Sequence, residues 1–328
     1  MTTRRQFISL LGGAAAAWPV VARAQQAPMP VLGFLSSRSA NDSASVEAAF
    51  RKGLGETGFF NDRNVRITPA WADGQFERLP ALASDLVARR VAVIVAVGGD
   101  VVVHAVKRAT TSIPVVFVTG GDPAQTGLVA SIARPGGNIT GVTLYSVIVE
   151  EKRLELLREL VPGANALAVL LHRQDGLYET KRANAERAAR MLGQTIRVLD
   201  ADTADEIDAA FAKLVEMKVR GLMVGSSPFF SSRRNQILAL AMRHGVPAIY
   251  DSRVQVAAGG LISYGASYEE MYRQAGAYAG RILNGARPAE LPVLLPTMFE
   301  LTINLTTAKA LGLDIPPMLL ARADEVIE

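Results

Sequence analysis

The sequence predicts an α/β protein of two Rossmann-like lobes, each an open parallel sheet covered by helices, joined by three hinge segments. Three observations carry that expectation. Short apolar β-type runs alternate with amphipathic helical stretches along most of the chain, the pattern of parallel-sheet units. Residues 91–97 (VAVIVAV) are apolar throughout, as a strand covered on both faces requires. The units before residue 120 recur in the same order after residue 160, the mark of an internal repeat. With 328 residues, 49% of them hydrophobic, the chain also exceeds the length that one core usually serves.

Residues 1–24 read as a cleaved export signal. Paired Arg4 and Arg5 precede an apolar stretch from 7 to 21, and Ala22-Arg23-Ala24 offers a small-x-small cleavage site. The order Thr3-Arg4-Arg5-Gln6-Phe7-Ile8 fits the twin-arginine type. Gly12, Gly13 and Pro19 interrupt the apolar run, which argues against a membrane anchor. The segment holds three arginines and no acids, so its removal lowers the formal charge from +4 to +1. The pI of 9.4 therefore overstates the mature surface, and nucleic acid is not the implied partner. No later run is long and apolar enough to span a bilayer, which predicts a soluble, periplasmic product. Cysteine is absent, which excludes disulfides, thiolate metal sites and cysteine nucleophiles.

After a linker at 25–30, residues 31–35 form the first strand. A helix follows, with Val46, Ala49, Phe50 and Leu54 on one face. Asp42 or Ser43 is expected to cap it, and Gly58 to mark its end. A strand at 65–68, a helix bearing Phe76, Leu79, Leu82 and Leu86, and the strand 91–97 come next. Gly98-Gly99-Asp100 opens another helix. A seam at 115–145 begins with an apolar strand, passes through an acidic, glycine-rich loop and a short helix, and turns at Pro135-Gly136-Gly137-Asn138 into strand 139–143.

Beyond the seam, 167–171 corresponds to the first strand, 195–199 to the second, and 222–224 with Gly225-Ser226-Ser227 to the run ending in Gly98-Gly99-Asp100. Residues 244–250 match 112–117. The remaining strand at 261–264, helix at 268–283 and strand at 299–304 fit three crossings between lobes, at 139–145, 259–265 and 291–300. The resulting division is 28–140 with 262–292, and 141–261 with 293–328. Such a pair of lobes hinges about its crossings and closes a cleft.

In doubly wound sheets ligands gather at the carboxyl ends of strands, where backbone N–H groups and helix starts are exposed. The first lobe offers Ser36, Ser37, Gly98, Gly99, Asp100, Thr119, Gly120 and Asp122 there; the second offers His172, Gln174, Asp175, Ser226, Ser227, Tyr250, Asp251 and Arg253. Gly98-Gly99 and Ser226-Ser227 suit a carboxylate, and Asp100 or Asp122 an ammonium. Each residue alone is equally well read as a cap or a turn; the set is the stronger signal. Gly53-Leu54-Gly55-Glu56-Thr57-Gly58 matches GxGxxG, yet its glycines end a helix where the nucleotide fingerprint needs a strand before it. His104, His172 and His244 have no ligand-like spacing, so no metal is expected, and no cofactor. Ser226 lacks the second glycine of a nucleophile elbow. Of Phe229 and Phe230, one ring is expected beneath the following helix, the alternative being a stacking wall for a ligand.

Several ordered motifs carry a family resemblance: the GFLS start at 33–36, ARPGGNITG at 133–141, KRLELL at 152–157, AGGLISYG at 258–265, and the ending from NL at 304–305 through AKALGL to LARADE at 320–325. Together they resemble the ABC-transporter substrate-binding proteins that include the tryptophan/tyrosine-type binders. The resemblance implies a type I periplasmic binding protein, with a small-molecule solute in the cleft, an ABC permease and its ATPase as partners, and a monomer touching the membrane only through the permease. The sequence departs from those relatives where they carry a Thr-Pro-Ala loop, here Gly99-Asp100-Val101, and at Arg253-Val254-Gln255, while Asp122-Pro123 is kept. The expected function is an extracytoplasmic receptor closing on a carboxylate-bearing solute, an amino acid or aromatic acid. A periplasmic enzyme using Asp100 or Asp122 as a base, and a sensor domain on the same scaffold, are the alternatives.

Overall fold

A computed structural model describes residues 29–144 and 149–328. The export signal, most of the linker and Tyr145 of the first crossing lie outside the described residues. The first lobe is built on a five-stranded parallel sheet of order β2-β1-β3-β4-β5, formed by β1 (Val31–Ser36), β2 (Arg66–Trp71), β3 (Val93–Val97), β4 (Val115–Thr119) and β5 (Ile139–Thr143). Every residue of β3, β4 and β5 is buried, which is what their unbroken apolar and β-branched composition requires. Helices α1 (Ala40–Gly55), α2 (Leu79–Ala88) and α3 (Asp100–Ala109) connect these strands.

The second lobe repeats the arrangement. Its β6 (Ala166–Leu171), β7 (Thr195–Asp200), β8 (Leu222–Val224), β9 (Ala248–Tyr250) and β10 (Ile262–Ala266) follow the order β7-β6-β8-β9-β10, the counterpart of the first sheet. β11 (Phe299–Asn304) adds antiparallel to β10, and β12 (Glu325–Ile327) parallel to β11. Helices α4 (Glu150–Leu160), α5 (Tyr178–Met191), α6 (Ala204–Glu216), α7 (Pro228–Ser232), α8 (Arg234–Arg243) and α9 (Arg253–Ala257) precede β10; α11 (Leu305–Ala310) and α12 (Pro317–Leu320) follow β11.

Helix α10 (Tyr268–Leu283) returns to the first lobe, where Met271, Tyr272, Ala275, Tyr278 and Ala279 join the core of Phe34, Phe50 and Leu54. Each fully buried Met, Phe or Leu side chain of this core contributes about 1.5–3 kcal/mol. Gly53, the first glycine of the motif refused above as a nucleotide site, finds its purpose here. A Cβ on Gly53 would lie 1.7 Å from the Arg273 carbonyl oxygen, and one on Gly276 2.1 Å from that of Phe50. Glycine lets the two helix backbones touch.

Four local expectations differ from the structure. Ser39, not Asp42 or Ser43, caps α1 by accepting from the Asp42 N–H, while its own hydroxyl donates to the Asp42 carboxylate. The short helix expected after β4 is a series of turns: Leu128 N–H closes back on the Pro123 carbonyl, and Gly127, at φ +71°, breaks the helical path. Residues 262–266, assigned above to the first lobe, pair with β9 and β11 in the second sheet, so the chain returns at Ser267 instead. Residues 293–294 remain on the first lobe, where Leu294 bridges Val142, which places the third crossing at 295–298.

Candidate functional site

One cavity lies between the lobes at the carboxyl ends of both sheets. From the first lobe it is lined by Arg38 after β1, Phe76 after β2, Gly98, Gly99 and Asp100 after β3, Thr119 and Gly120 at the end of β4, and Leu144 after β5. Gly98 and Gly99 have φ of +90° and +108°, a conformation that L side chains rarely adopt, and they deliver Asp100 to the first position of α3.

The opposite wall comes from His172, Gln174, Asp175 and Leu177 after β6, Lys181 on α5, and Ser226, Ser227 and Pro228 after β8. Lys181, buried in α5, donates to Asp175 Oδ2 at 2.8 Å and to the Ser226 carbonyl at 2.6 Å. The Ser227 hydroxyl lies 3.2 Å from His172 Nδ1 and accepts from the Phe229 N–H that starts α7. The Phe229 ring stacks on His172 at 4.8 Å, and Phe230 is buried beneath α8 with Ile237. Tyr268 and Tyr272 close the floor from the start of α10. The lobes meet tightly: a Cβ on Gly99 would touch Pro228 at 3.2 Å, and one on Gly121 would lie 2.9 Å from Leu177.

Three polar atoms on the first wall make no hydrogen bond within the protein, Arg38 Nε, Asp100 Oδ2 and Thr119 Oγ1. Thr119 is 1% exposed, and leaving such a hydroxyl unpaired costs about 1–3 kcal/mol. Burial pushes the Asp100 carboxyl up to about 6 and Asp175 adds to that, against the pull of Lys181 and of the Gly120 and Gly121 N–H groups. Burial lowers the His172 pKa, opposed by Asp175 and Asp202. Glu150 is 1% exposed, and burial pushes it up to about 8 despite Lys181, Arg153 and a hydrogen bond with Asn184.

Of the residues proposed from sequence, Gly98, Gly99, Asp100, Thr119, Gly120, His172, Gln174, Asp175, Ser226 and Ser227 line the cavity. The others stand elsewhere. Ser36 is buried and accepts from the Arg38 N–H, shaping the turn that presents Arg38. Ser37 donates to the Gly98 carbonyl and ties the β1 and β3 loops together. Asp122 accepts from the Ala124 and Gln125 N–H groups and organises the turn after β4. Tyr250 is core. Asp251 anchors Ser226, Gln255 and Tyr268 side chains from behind the cavity wall. Arg253 is exposed and paired with Glu325 on β12.

Arg38, Lys181, Tyr268 and Tyr272 were not foreseen. Arg38 follows β1, so the same strand-end rule that marked Ser36 and Ser37 reaches it two residues on. Tyr268 and Tyr272 stand at i, i+4 just past a lobe crossing, a spacing that presents both from one helix face. Nothing marks Lys181 among the other basic residues of its helix.

Two hinged α/β lobes with a cavity between facing strand ends define a two-lobed ligand-binding protein. The chain belongs to the ABC transporter substrate binding protein family, whose sequence profile matches residues 31–327. A tyrosine-binding protein of Clostridioides difficile (strain R20291) is 27% identical over 268 residues, covering 82% of this chain and 76% of the relative. Among solved structures, an ABC domain in complex with L-Trp from Streptococcus pneumonia is 23% identical, with a TM-score of 0.82 over 91% of this chain and 99% of that one. A conserved domain protein from Vibrio cholerae is also 23% identical, with a TM-score of 0.84 over the same shares. These likenesses agree with the expected two-lobed fold. Among the described residues no cluster of ligating side chains could hold a metal ion, and no helix is long and apolar enough to cross a membrane.

Proposed function

We propose that this protein is the extracytoplasmic receptor of an ABC importer, exported with cleavage after Ala24, acting as a monomer, and closing its lobes on an amino acid-type solute for delivery to a permease and its ATPase. The observation that carries the reading is the set of unpartnered polar atoms, Arg38 Nε, Asp100 Oδ2 and Thr119 Oγ1, on residues that line the cavity between the lobes. Polar groups kept unsatisfied at a cavity wall are consistent with partners supplied by a ligand. Phe76, Leu144, Tyr268 and Tyr272 on the same cavity suit an apolar or aromatic side chain. Tyrosine and tryptophan named for the relatives support that class. Closure around such a solute would gather surfaces of both lobes into one face for the permease.

A binding receptor needs no nucleophile and no turnover, and the acids of this cavity serve it as hydrogen-bond acceptors. Thermal melting of the mature protein against a panel of amino acids and aromatic acids tests the reading. A true ligand at about 100 times its dissociation constant adds about 2.7 kcal/mol, a shift readily read as Tm. A panel with no stabilising compound removes the amino acid-type class, and a compound consumed during incubation replaces the receptor with an enzyme.

A further inference from the structure

A second, smaller hollow between the lobes shares Arg38 and Tyr268 with the solute cavity. The first lobe gives it Arg38 after β1 and Asp42 in the first turn of α1; the second gives it Arg234 at the start of α8, Ser252 before α9 and Gln255 within α9. The Nε atoms of Arg38 and Arg234 are shut off from solvent and make no hydrogen bond within the protein. Neither guanidinium forms an ion pair among the described residues, whereas Arg51, Arg78 and Arg253 each hold a carboxylate. Two arginines brought to one hollow from opposite lobes repel each other unless an anion lies between them, and a buried donor left without a partner is costly.

An oxyanion answers both side chains, because a guanidinium presents its N–H groups in a planar fork that matches two oxygens of one such group. The Ser252 hydroxyl accepts from the Val254 N–H, which leaves its own proton to donate. The hollow also carries acceptors. The Asp42 carboxylate lines it, engaged at Oδ2 by the Ser39 hydroxyl. Gln255, 8% exposed, donates through Nε2 to Asp251 Oδ1, so its Oε1 is the end without a partner. Acceptors count against a fully ionised anion and favour one that retains a proton. We propose that this hollow is a second binding site, separate from the solute cavity, for an oxyanion that keeps a proton, inorganic phosphate in preference to sulfate. At neutral pH phosphate carries a proton that sulfate has lost, so phosphate donates to an acceptor that sulfate leaves unpaired. A guanidinium has five N–H donors, which lets Arg38 serve a solute on one side and the anion on the other. The site stands whichever solute fills the first cavity.

The test titrates the mature full chain, in phosphate-free buffer at neutral pH and fixed ionic strength, with inorganic phosphate, sulfate and phenyl phosphate by calorimetry. Wild type is expected to bind one phosphate, and to bind sulfate about 10-fold or more weakly, the cost of an acceptor left unpaired. Arg234 lines this hollow and not the solute cavity, so Arg234→Gln locates the site. It is expected to weaken phosphate about 10- to 100-fold, the loss of a charge-assisted contact. Arg234→Lys keeps the charge and loses the fork, and is expected to fall between wild type and Arg234→Gln; it decides the matter should glutamine disturb the start of α8. Absence of phosphate binding, equal affinity for phosphate and sulfate, or phosphate binding that both Arg234 variants leave unchanged overturns the proposal. Phenyl phosphate bound more tightly than inorganic phosphate, with the same dependence on Arg234, also overturns it, since the group would then belong to a larger solute spanning both hollows.

Discussion

Replacing Thr119 with valine should stabilise the unliganded protein and weaken it as a receptor. The hydroxyl is 1% exposed and makes no hydrogen bond, so it carries a desolvation cost of about 1–3 kcal/mol with no return until a ligand arrives. Valine has nearly the same shape and suits the buried end of β4. Taking the low end, about 1 kcal/mol, and a lobe-sized cooperative unit, the unliganded Tm should rise by about 2–4 °C. The hydrogen bond lost in the complex is worth about 0.5–1.5 kcal/mol, a roughly 2- to 12-fold weaker dissociation constant. Scanning calorimetry and titration calorimetry on the same preparations read the two effects. Their opposite signs separate a lost ligand contact from general damage, which lowers both. A variant that melts at or below wild type, or binds as tightly, refutes the assignment of Thr119 as a waiting ligand contact.

Glu150 should make stability fall with rising pH. Its folded pKa is raised to about 8 from an ordinary 4.5, so the folded state holds a proton that the unfolded state releases, and stability is lost as pH rises between those values. Melting of Glu150→Gln against wild type from pH 5 to 8.5 should show the variant's advantage growing to the order of 1–3 kcal/mol. The depressed His172, which acts in the opposite direction, is common to both proteins and cancels. Gly53→Ala drives a methyl group against the Arg273 carbonyl and should cost roughly 3 kcal/mol or more in denaturant unfolding. Arg253→Ala removes only an exposed ion pair with Glu325, so titration calorimetry should find affinity unchanged and melting should find a loss below about 1 kcal/mol.

The architecture was legible because it is written in periodicity. Residues 91–97 and 167–171 announce covered parallel strands, and their recurrence announces a second lobe with the same strand order. The strand-end rule then placed Gly98, Gly99, Asp100, Ser226 and Ser227 on the cavity, because chain direction alone brings those loops to one edge. It failed where a residue near a strand end turns its side chain away, as Tyr250 does into the core and Arg253 toward β12. Sequence cannot distinguish a loop aspartate that caps its own turn, Asp122, from one that presents a free oxygen to the cavity, Asp100. Position 262 was assigned to the wrong lobe for a related reason. An apolar run reads the same in either sheet, and the partner strand β11 lies more than thirty residues further on.

Titration of the mature protein with L-tyrosine and L-tryptophan at neutral pH, followed by recovery of the solute for mass spectrometry, tests the receptor reading most directly. One-to-one binding at micromolar dissociation constant or better, about −8 kcal/mol, with the amino acid recovered unchanged, is the predicted result. Absence of binding by either amino acid, or recovery of a converted product, would contradict it.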